Sequence, residues 1–426
     1  MRKTLICIIA AICTLAAHAG QGIVGRQGTL LVRDGKPYNF VGANMWYGAI
    51  LGSTGQGGDR ELLRRELDTL KALGVTNLRV LAGADGAESL PFKAEPALQT
   101  APGVYNDTIL DGLDYMLAEM GKRGMTAVVY LNNSWEWSGG YTYYLKQAGA
   151  SEPKYPETHS YGEYVDYAAK FATDTAAQRL FMDHVAFMVG RTNRHTGKAY
   201  KDDPAIMSWQ VGNEPRAFSK AALPHFAKWL SQATALIRSI DPNHLISLGS
   251  EGSVGCENDM EYYKAVCSDP NVDYLNIHIW PSNWGWVRKT EPEADLQNGI
   301  RQSLQYIGEH RAVAGQLGKP LVIEEFGYPR DGASYSLEST TEHRDEYYRA
   351  VMGEVEKDIR NGGPIRGCNF WAWSGFCRPA HERWQPGDDF AGDPPQEPQG
   401  LFSTFISDSS TISVIKEFSA KIKAGE

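Results

Sequence analysis

The segment "DRELLRRELDTLKALGVTNLRVLAG", residues 59–83, contains two structural elements within one short span. Its leucines recur at the spacing of one helix face, Gly74 marks the end of that helix, and "VTNLRVL" is a β-rich run. The same order returns in "DTILDGLDYMLAEMGKRGMTAVVYLNN", residues 107–133, where Gly124 marks the helix end. Helix, glycine and buried strand, repeated in this order, predict a parallel sheet built from β/α units.

Eight apolar segments of strand length occur along the chain, and each one after the first follows a plausible helical stretch. They are "YNFVGAN", "TNLRVLA", "TAVVYLN", "IMSWQVG", "LISLGSE", "YLNIHIW", "LVIEEFG" and "CNFWAWS". Eight such units close a (β/α)8 barrel. An open doubly wound sheet is the alternative, but it requires a glycine-rich phosphate turn after the first strand, and "GANMWYGA" is not one. The sequence therefore predicts an α/β fold of the (β/α)8 TIM-barrel type.

Neither a proline-rich linker nor a break in composition divides the chain after its first residues. We therefore predict one domain, residues 20–426. Two long segments, 133–165 and 375–400, are rich in Gly, Pro, Tyr and acidic residues. We interpret them as loops on the C-terminal face of the barrel, with an aromatic content that suggests a role in function.

The N-terminal sequence "MRKTLICIIAAICTLAAHA", residues 1–19, combines a basic start, a short apolar run and a small-x-small ending at Ala19. This pattern is typical of a cleaved signal peptide, and the run is too short for a stable membrane span. No later segment is long and apolar enough to span a membrane. The sequence thus predicts a protein that is secreted or periplasmic.

Four cysteines remain after residue 19, and their spacing fits two local disulfides in an oxidising compartment. Buried free thiols are the alternative, because spacing alone does not fix connectivity. A zinc site is less favoured, since neither pair has a C-x-x-C spacing. The predicted pairs are Cys256 with Cys267 and Cys368 with Cys377.

The formal net charge of −9 argues against nucleic acid as a partner, because phosphate binding needs a clustered basic surface. A neutral polymer remains compatible with this charge. The chain also has 11 tryptophans and 21 tyrosines. Their flat faces can stack on the apolar faces of sugars as they do on other rings.

Polar and aromatic residues recur where the predicted strands end, which is where the active sites of such barrels form. They are Asn44 and Trp46 after the first strand, Arg79 within the second, Asn132 and Asn133 after the third, Asn213 and Glu214 after the fourth, Glu251 after the fifth, His278 and Trp280 closing the sixth, Glu324 and Glu325 closing the seventh, and Trp371 and Trp373 closing the eighth.

Two of these strand ends, the fourth and the seventh, carry carboxylates and lie on opposite sides of a closed barrel. Two carboxyl groups that face each other across a cleft can split a glycosidic bond, one as the acid and the other as nucleophile or base. Arg79 is placed to keep the attacking group ionised, whereas burial near a second carboxylate raises the pKa of the acid.

These motifs resemble glycoside hydrolase family 5. "NEP" after an apolar strand resembles the acid/base motif, which implies that role for Glu214, with Asn213 holding a sugar 2-hydroxyl. "EEFG" resembles the nucleophile motif, which implies Glu325 rather than Glu324. Strand alternation allows only one of these two neighbours to face the barrel axis, without saying which.

The resemblance extends to the endo-β-1,4-mannanase branch of the family through "NEPR", "LNNSWEWSGG", "GSEG" and "FWAWSG", in this order between residues 40 and 410. It implies that Arg79 supports the nucleophile and that His278 hydrogen-bonds near the scissile bond. It also implies Trp371, in preference to Trp373, as the floor under the sugar at the cleavage point. Arg216 is expected to contact sugar on the leaving-group side.

One departure from the family pattern is "HIW", residues 278–280, where the family commonly has His-x-Tyr. Trp280 thus replaces a phenol, and an indole N–H donates a hydrogen bond but cannot accept one or ionise. Trp46 and Trp135 follow strand ends and are expected to face sugar, together with Asn133. Two further tryptophans, Trp284 and Trp286, either pack a loop or contact sugar.

The resemblance implies a retaining β-mannanase that cuts internal β-1,4 bonds of mannan, glucomannan or galactomannan and requires no metal, organic cofactor or protein partner. An endoglucanase or an exo-acting, mannobiose-releasing enzyme on the same fold is an alternative. A non-catalytic glycan-binding protein is a second alternative, which the intact pair Glu214 and Glu325 disfavours.

Overall fold

The computed structural model describes residues 22–425, and all eight expected segments form strands of one parallel sheet. These strands are β1 (Phe40–Asn44), β2 (Asn77–Leu81), β3 (Thr126–Tyr130), β4 (Ile206–Gln210), β5 (Leu245–Ser247), β6 (Leu275–Ile279), β7 (Leu321–Phe326) and β8 (Ile365–Phe370). Their order in the sheet is β5-β4-β3-β2-β1-β8-β7-β6, which confirms the predicted (β/α)8 topology.

The seam between β5 and β6 is joined mainly by side chains, because β5 has only three residues. Asp273 donates its backbone N–H to the Ile246 carbonyl and accepts the Ile246 N–H on Oδ2, both over 2.8 Å. Further along the seam, the Asn276 amide donates to the Ser250 carbonyl over 2.7 Å and accepts from Gly249 N–H over 3.1 Å. These bonds satisfy backbone groups that a longer β5 would pair directly.

The helices that surround the sheet bury one apolar stripe each, as the leucine pattern predicts. In the helix Arg60–Ala72, Asp59 caps the first turn, and Leu63, Leu67 and Leu70 are buried. The other α-helices of the described chain are Gly48–Leu51, Asp107–Lys122, Gly140–Gln147, Tyr161–Ala168, Thr175–Val189, Leu223–Ile240, Met260–Cys267, Pro292–Leu317, Glu342–Arg360 and Ser409–Ala424.

The N-terminal face of the barrel is closed by a small antiparallel sheet, Val24–Gln27, Leu30–Arg33 and Lys36–Pro37. Val24 and Leu31 from this sheet pack in one apolar cluster with residues of the barrel strands, such as Val128 and Met207. This face is therefore a packed core, and the C-terminal face is left for the site.

Only one of the two segments predicted as loops lacks helix. Residues 133–165 contain the 3₁₀ turn Glu136–Ser138, the helix Gly140–Gln147 and the start of Tyr161–Ala168. Their tyrosines are mostly buried, because they pack this extra layer against the barrel helices. Residues 376–400 form the expected loop, anchored by the buried Asp393, which accepts from Gly400 N–H at 2.7 Å and Phe402 N–H at 2.9 Å.

The two predicted disulfides are absent from the structure, in which Cys256, Cys267, Cys368 and Cys377 are buried free thiols. Burial raises the pKa of the Cys256 and Cys267 thiols, and Ser250 and Tyr263, respectively, lie beside them. Cys368 lies within β8, whereas Cys377 lies beyond the strand Trp373–Gly375, beside Tyr47 and Glu66. The alternative of buried free thiols, which the spacing left open, is therefore the one that the structure shows.

The predicted signal peptide, residues 1–19, lies outside the described residues, and the single-domain assignment stays a prediction. Within residues 22–425, every helix is too short or too polar to span a membrane.

We expect the thermal midpoint to be insensitive to reductant, because removal of a native disulfide costs about 2–5 kcal/mol and these thiols make none. The measurement is calorimetry of protein purified without reductant, with and without dithiothreitol. All four thiols should react with maleimide after unfolding. A linked pair of cysteine peptides in a non-reducing digest would contradict the structure.

Candidate active site

The C-terminal ends of β3 to β8 and the segments that follow them surround a cleft of about 430 Å³. It contains both carboxylates singled out in the sequence. Its walls are Trp135, Glu136, Trp137, Tyr161, Asn213, Glu214, Arg216, Glu251, Val254, Trp280, Asn283, Trp284, Lys289, Glu325, Trp371, Pro394, Gln396 and Glu397.

Arg79 on β2 lies beneath this cleft with no exposed surface. It donates from Nη1 to Glu325 Oε1 over 2.6 Å and from Nη2 to Asn213 Oδ1 over 2.8 Å. Nε donates to Gln210 Oε1 over 2.9 Å, and the guanidinium lies 4.4 Å from the centre of the Tyr130 ring. Each side of the guanidinium is therefore occupied, as a buried cation requires.

Both Glu324 and Glu325 lie inside the barrel, so the expectation that only one faces the axis is wrong. The reason is a β-bulge: Ile277 pairs with Ile323 and His278 with Glu325, so that Glu324 has no partner on β6. The bulge breaks the alternation at this point. The Glu324 carboxylate accepts hydrogen bonds from Tyr274 Oη over 2.8 Å and from the Gln210 amide. Its Oε2 atom lies 3.9 Å from Arg79 Nε, and Glu324 does not line the cleft.

Glu214 lies four residues after the end of β4 and has a positive φ of 50°. A left-handed backbone is unusual for a glutamate and marks a position that the surroundings hold in place. Its N–H donates to the Gly249 carbonyl over 2.9 Å. The Trp135 indole donates to Oε2 over 2.5 Å, and His278 Nδ1 lies 2.8 Å from Oε1.

The two carboxylates are close, because oxygens of Glu214 and Glu325 and a nitrogen of His278 all lie within 4.8 Å of one another. Burial raises the pKa of both carboxyl groups, and the charge of Glu214 raises that of Glu325 further. Against this, Arg79 and the Trp280 indole, which donates to Oε2 over 3.0 Å, stabilise the Glu325 carboxylate. The charges of Arg216 and Arg79 lower the pKa of Glu214, but neither arginine donates a hydrogen bond to it among the described contacts, whereas Arg79 donates directly to Glu325. Glu214 is therefore the group that holds the proton.

Burial, together with the charges of Arg79 and Arg216, lowers the pKa of His278 well below its usual value. The imidazole is therefore neutral at physiological pH, and it orients the two carboxyl groups. Glu214, His278 and Glu325 are also close enough to hold a divalent cation. However, Arg79 and Trp280 already donate to both oxygens of Glu325, and this arrangement suits a neutral ligand better than a second cation.

Arg216 lines the cleft, but its guanidinium is paired with Glu251, with Nε–Oε2 at 2.5 Å and Nη2–Oε1 at 2.6 Å. The guanidinium that lines the cleft is therefore held in place by Glu251 and is not free to move. Asn133 does not line the cleft. It accepts from the Asn213 amide over 3.2 Å, so it positions Asn213 instead of contacting ligand itself.

The predicted tryptophans fall into two groups. Trp371 and Trp280 line the cleft with their ring centres 5.8 Å apart and nearly perpendicular. Trp373 is buried away from it and donates to Glu66 over 2.8 Å. Trp46, expected to face sugar, is 2% exposed and donates to the Gly392 carbonyl over 2.9 Å, because the loop 376–400 folds over it.

The sequence analysis did not identify three residues that the structure places at the site. Gln210, which bridges Arg79 and Glu324, lies in an apolar strand, and its only signal is an inward position in the alternation. Glu136 and Glu397 line the cleft from the segments after β3 and β8, and each has a buried carboxylate oxygen with no partner in the described chain. Burial raises the pKa of Glu136 to about 7 and that of Glu397 to about 8.

A pair of close, buried carboxylates at the C-terminal face of a (β/α)8 barrel, one held by an arginine, defines a glycosidase site. Comparison with known proteins specifies the family. The model for "GH family 5 beta-mannosidase-like" proteins matches residues 21–426. This chain therefore belongs to glycoside hydrolase family 5.

Individual relatives agree with this assignment. The chain is 33% identical to the glycoside hydrolase family 5 mannosidase of Rhizomucor miehei, with a TM-score of 0.87 and coverage of 95% of this chain and 98% of that one. It is 30% identical to mannan endo-1,4-beta-mannosidase 1 of rice over 84% of this chain and 79% of that protein. It is 28% identical to the Arabidopsis thaliana protein of the same name, over 82% of this chain and 81% of that protein.

We expect Trp135→Phe to move the alkaline limb of the pH profile of kcat/KM to higher pH. The indole N–H stabilises the Glu214 carboxylate, so its loss raises the pKa of the group that must be protonated to act as acid. The measurement is a pH profile of kcat/KM for both proteins.

Trp137→Phe is the matched control, because Trp137 lines the same cleft without a hydrogen bond to either carboxylate among the described contacts. An unmoved limb in Trp135→Phe, or an equal movement in the control, would contradict the role given to the Trp135 indole.

Proposed function

We propose that this protein is a retaining β-mannanase that hydrolyses internal β-1,4 bonds of mannan, glucomannan or galactomannan. The observation that carries the proposal is the proximity of the two carboxylates, because one oxygen of Glu214 and one of Glu325 lie within 4.8 Å of each other. Retaining glycosidases have their carboxyl groups about 5–5.5 Å apart, whereas inverting enzymes need about 6.5–9.5 Å to admit a water. The names of the plant relatives support mannan as the substrate.

In the first step, the Glu325 carboxylate attacks the anomeric carbon of a sugar that rests on Trp371. Glu214 gives its proton to the glycosidic oxygen, and the leaving chain departs. Arg79 and Trp280 keep Glu325 ionised and fix its oxygens for in-line attack.

In the second step, water enters where the leaving group was, and Glu214, now a carboxylate, takes a proton from it. The water attacks the anomeric carbon and releases Glu325, so that the configuration is retained overall. Neutral His278 lies between the two carboxyl groups and hydrogen-bonds near the scissile bond throughout.

Cleavage from a chain end is a second candidate function, favoured by one end of the cleft. There the loop after β8 lies over Trp46, and Pro394, Gln396 and Glu397 form a wall of the cleft. Such a wall limits the number of sugars bound beyond the cleavage point. The description of the matching family as beta-mannosidase-like supports this candidate.

Glu325→Gln should lower mannan hydrolysis by roughly three orders of magnitude or more, because the amide cannot form the glycosyl-enzyme. Binding of mannohexaose to the variant should persist in calorimetry. Glu324→Gln is the control, since Glu324 lies below the cleft and should retain measurable activity. Full activity in Glu325→Gln would mean that a different residue is the nucleophile.

Proton NMR of the first product should detect a β-anomer before mutarotation, and an α-anomer would contradict retention. Mannohexaose with a labelled reducing end distinguishes the two candidate functions. Internal cleavage yields labelled fragments of several lengths at once, whereas cleavage at the non-reducing end first yields a single labelled fragment that is shortened by one or two sugars. Carboxymethyl cellulose is the comparison substrate, and its preferential hydrolysis would point to an endoglucanase.

We propose in addition that the protein is exported to the periplasm or the medium. The basic start, apolar run and Ala19 ending of residues 1–19 support this proposal. Mass spectrometry of the protein from its native cells should find Gly20 as the first residue.

A further inference from the structure

We propose that an aromatic shelf beside the cleft, formed by Trp284 and Trp286, binds the leaving-group part of a β-mannan chain beyond the sugars held in the cleft. The proposal rests on the proposed function, because the ligand of the shelf is the same neutral polysaccharide. It adds a binding site outside the catalytic cleft and determines the direction in which the polymer leaves it.

The shelf forms part of a groove of about 470 Å³. Trp284 and Val254 belong to the walls of both the groove and the catalytic cleft, so the two spaces adjoin at these residues. Trp286 lines the groove but not the cleft. A chain that passes Trp284 out of the cleft therefore next meets Trp286.

The two indoles are half-buried, with ring centres 4.9 Å apart at an interplanar angle of 77°. Both pack on Tyr306, at 5.1 Å and 5.9 Å between ring centres. Tyr306 in turn donates its hydroxyl to the Glu251 carbonyl over 2.8 Å. The shelf is thus fixed relative to the Arg216–Glu251 pair at the cleft wall, so little conformational entropy is lost when it binds a ligand.

Hydrogen bonds also hold the backbone of the shelf and of the neighbouring Val254 in place. The Asn298 amide donates to the Trp286 carbonyl over 2.7 Å, and Val254 N–H donates to the Tyr306 hydroxyl over 3.2 Å. Exposed faces of rigid indoles offer an apolar surface on which the C–H faces of sugar rings can stack. Asn258 and Glu309, both exposed at the groove, supply polar groups for sugar hydroxyls.

The position of the acid sets the direction of the chain. Glu214 follows β4, and the groove is built from residues after β5 and β6, next to it in the barrel. Trp371 and residues 394–397, which follow β8, bound the opposite side of the cleft. The group that receives the proton of Glu214 therefore extends away from Trp371 and toward the shelf.

The charge of the groove selects a class of ligand. Glu309 is its one charged residue among the described residues that line it, so an acidic polysaccharide is disfavoured and a neutral one accepted. The shelf also differs from the aromatic pairs that fill the core, because Trp284 and Trp286 keep part of their surface in solvent.

The test compares two substrates that differ in the length of the leaving group. One is mannohexaose. The other is an aryl substrate, either nitrophenyl β-mannoside or nitrophenyl β-mannobioside, whichever the unmodified protein hydrolyses faster. The leaving group of both aryl substrates is a single nitrophenyl ring, which is too short to reach the shelf. Trp286→Ala should lower kcat/KM for mannohexaose about tenfold, mainly through KM, and change that of the aryl substrate less than about twofold.

Trp286→Tyr should restore most of the loss, because it keeps an aromatic face. Phe187→Ala is the matched control, since Phe187 is a partly exposed aromatic residue stacked on Tyr105 on a different part of the surface. It should change the ratio between the two substrates by less than about twofold. Circular dichroism and thermal melting verify that each variant folds.

If Trp286→Ala leaves kcat/KM for mannohexaose unchanged, the shelf does not bind the substrate and the proposal is wrong. The proposal is also wrong if the variant loses kcat/KM equally on both substrates, because that result indicates a packing role for Trp286. Failure of the proposed function looks different. In that case the unmodified protein hydrolyses neither substrate, and the ligand assigned to the shelf falls with it.

Discussion

A buried guanidinium, that of Arg79, constrains the arrangement of the whole site. A cation without solvent contact must have its charge and each of its N–H groups compensated, or the barrel would not accept it. Glu325 from β7, Gln210 from β4 and Asn213 from the segment after β4 provide that compensation over 2.6–2.9 Å. The same bonds hold together two sides of the barrel that share no direct strand pairing, and they place Glu325 opposite Glu214.

The two carboxylates gain different chemistry from this constraint. Glu325 receives a full positive charge and an indole N–H, whereas Glu214 receives an indole N–H and a neutral imidazole. Because the two carboxyl groups are buried beside one another, one of them must keep a proton. Glu214 keeps it, because the arginine donates its hydrogen bond to Glu325 instead. The family commonly has a tyrosine at the position of Trp280. The Trp280 indole can replace the hydrogen bond of that tyrosine, because an ionised Glu325 requires only a donor.

The cleft is asymmetric about this pair. On the side of β8, a long loop anchored by Asp393 covers Trp46 and brings Glu397 to the wall, with a carboxylate oxygen that lacks a partner in the described chain. On the side of β5 and β6, the cleft adjoins the groove of Trp284 and Trp286. In the functions proposed above, the side of β8 restrains the polymer near its cleaved sugar and the side of β5 and β6 supports it beyond that sugar.

Local patterns in the sequence determined the eight strands, the amphipathic helix faces, and Glu214 and Glu325 at the ends of β4 and β7. These features depend on periodicity and on short motifs, so they are legible without coordinates. The β-bulge that brings both Glu324 and Glu325 inside, the burial of Trp46 and the free thiols were decided by the tertiary structure alone. They depend on distances between segments far apart in the chain: Trp135 reaches Glu214 across 79 residues, and Trp46 reaches Gly392 across 346. Only the closed barrel fixes those distances.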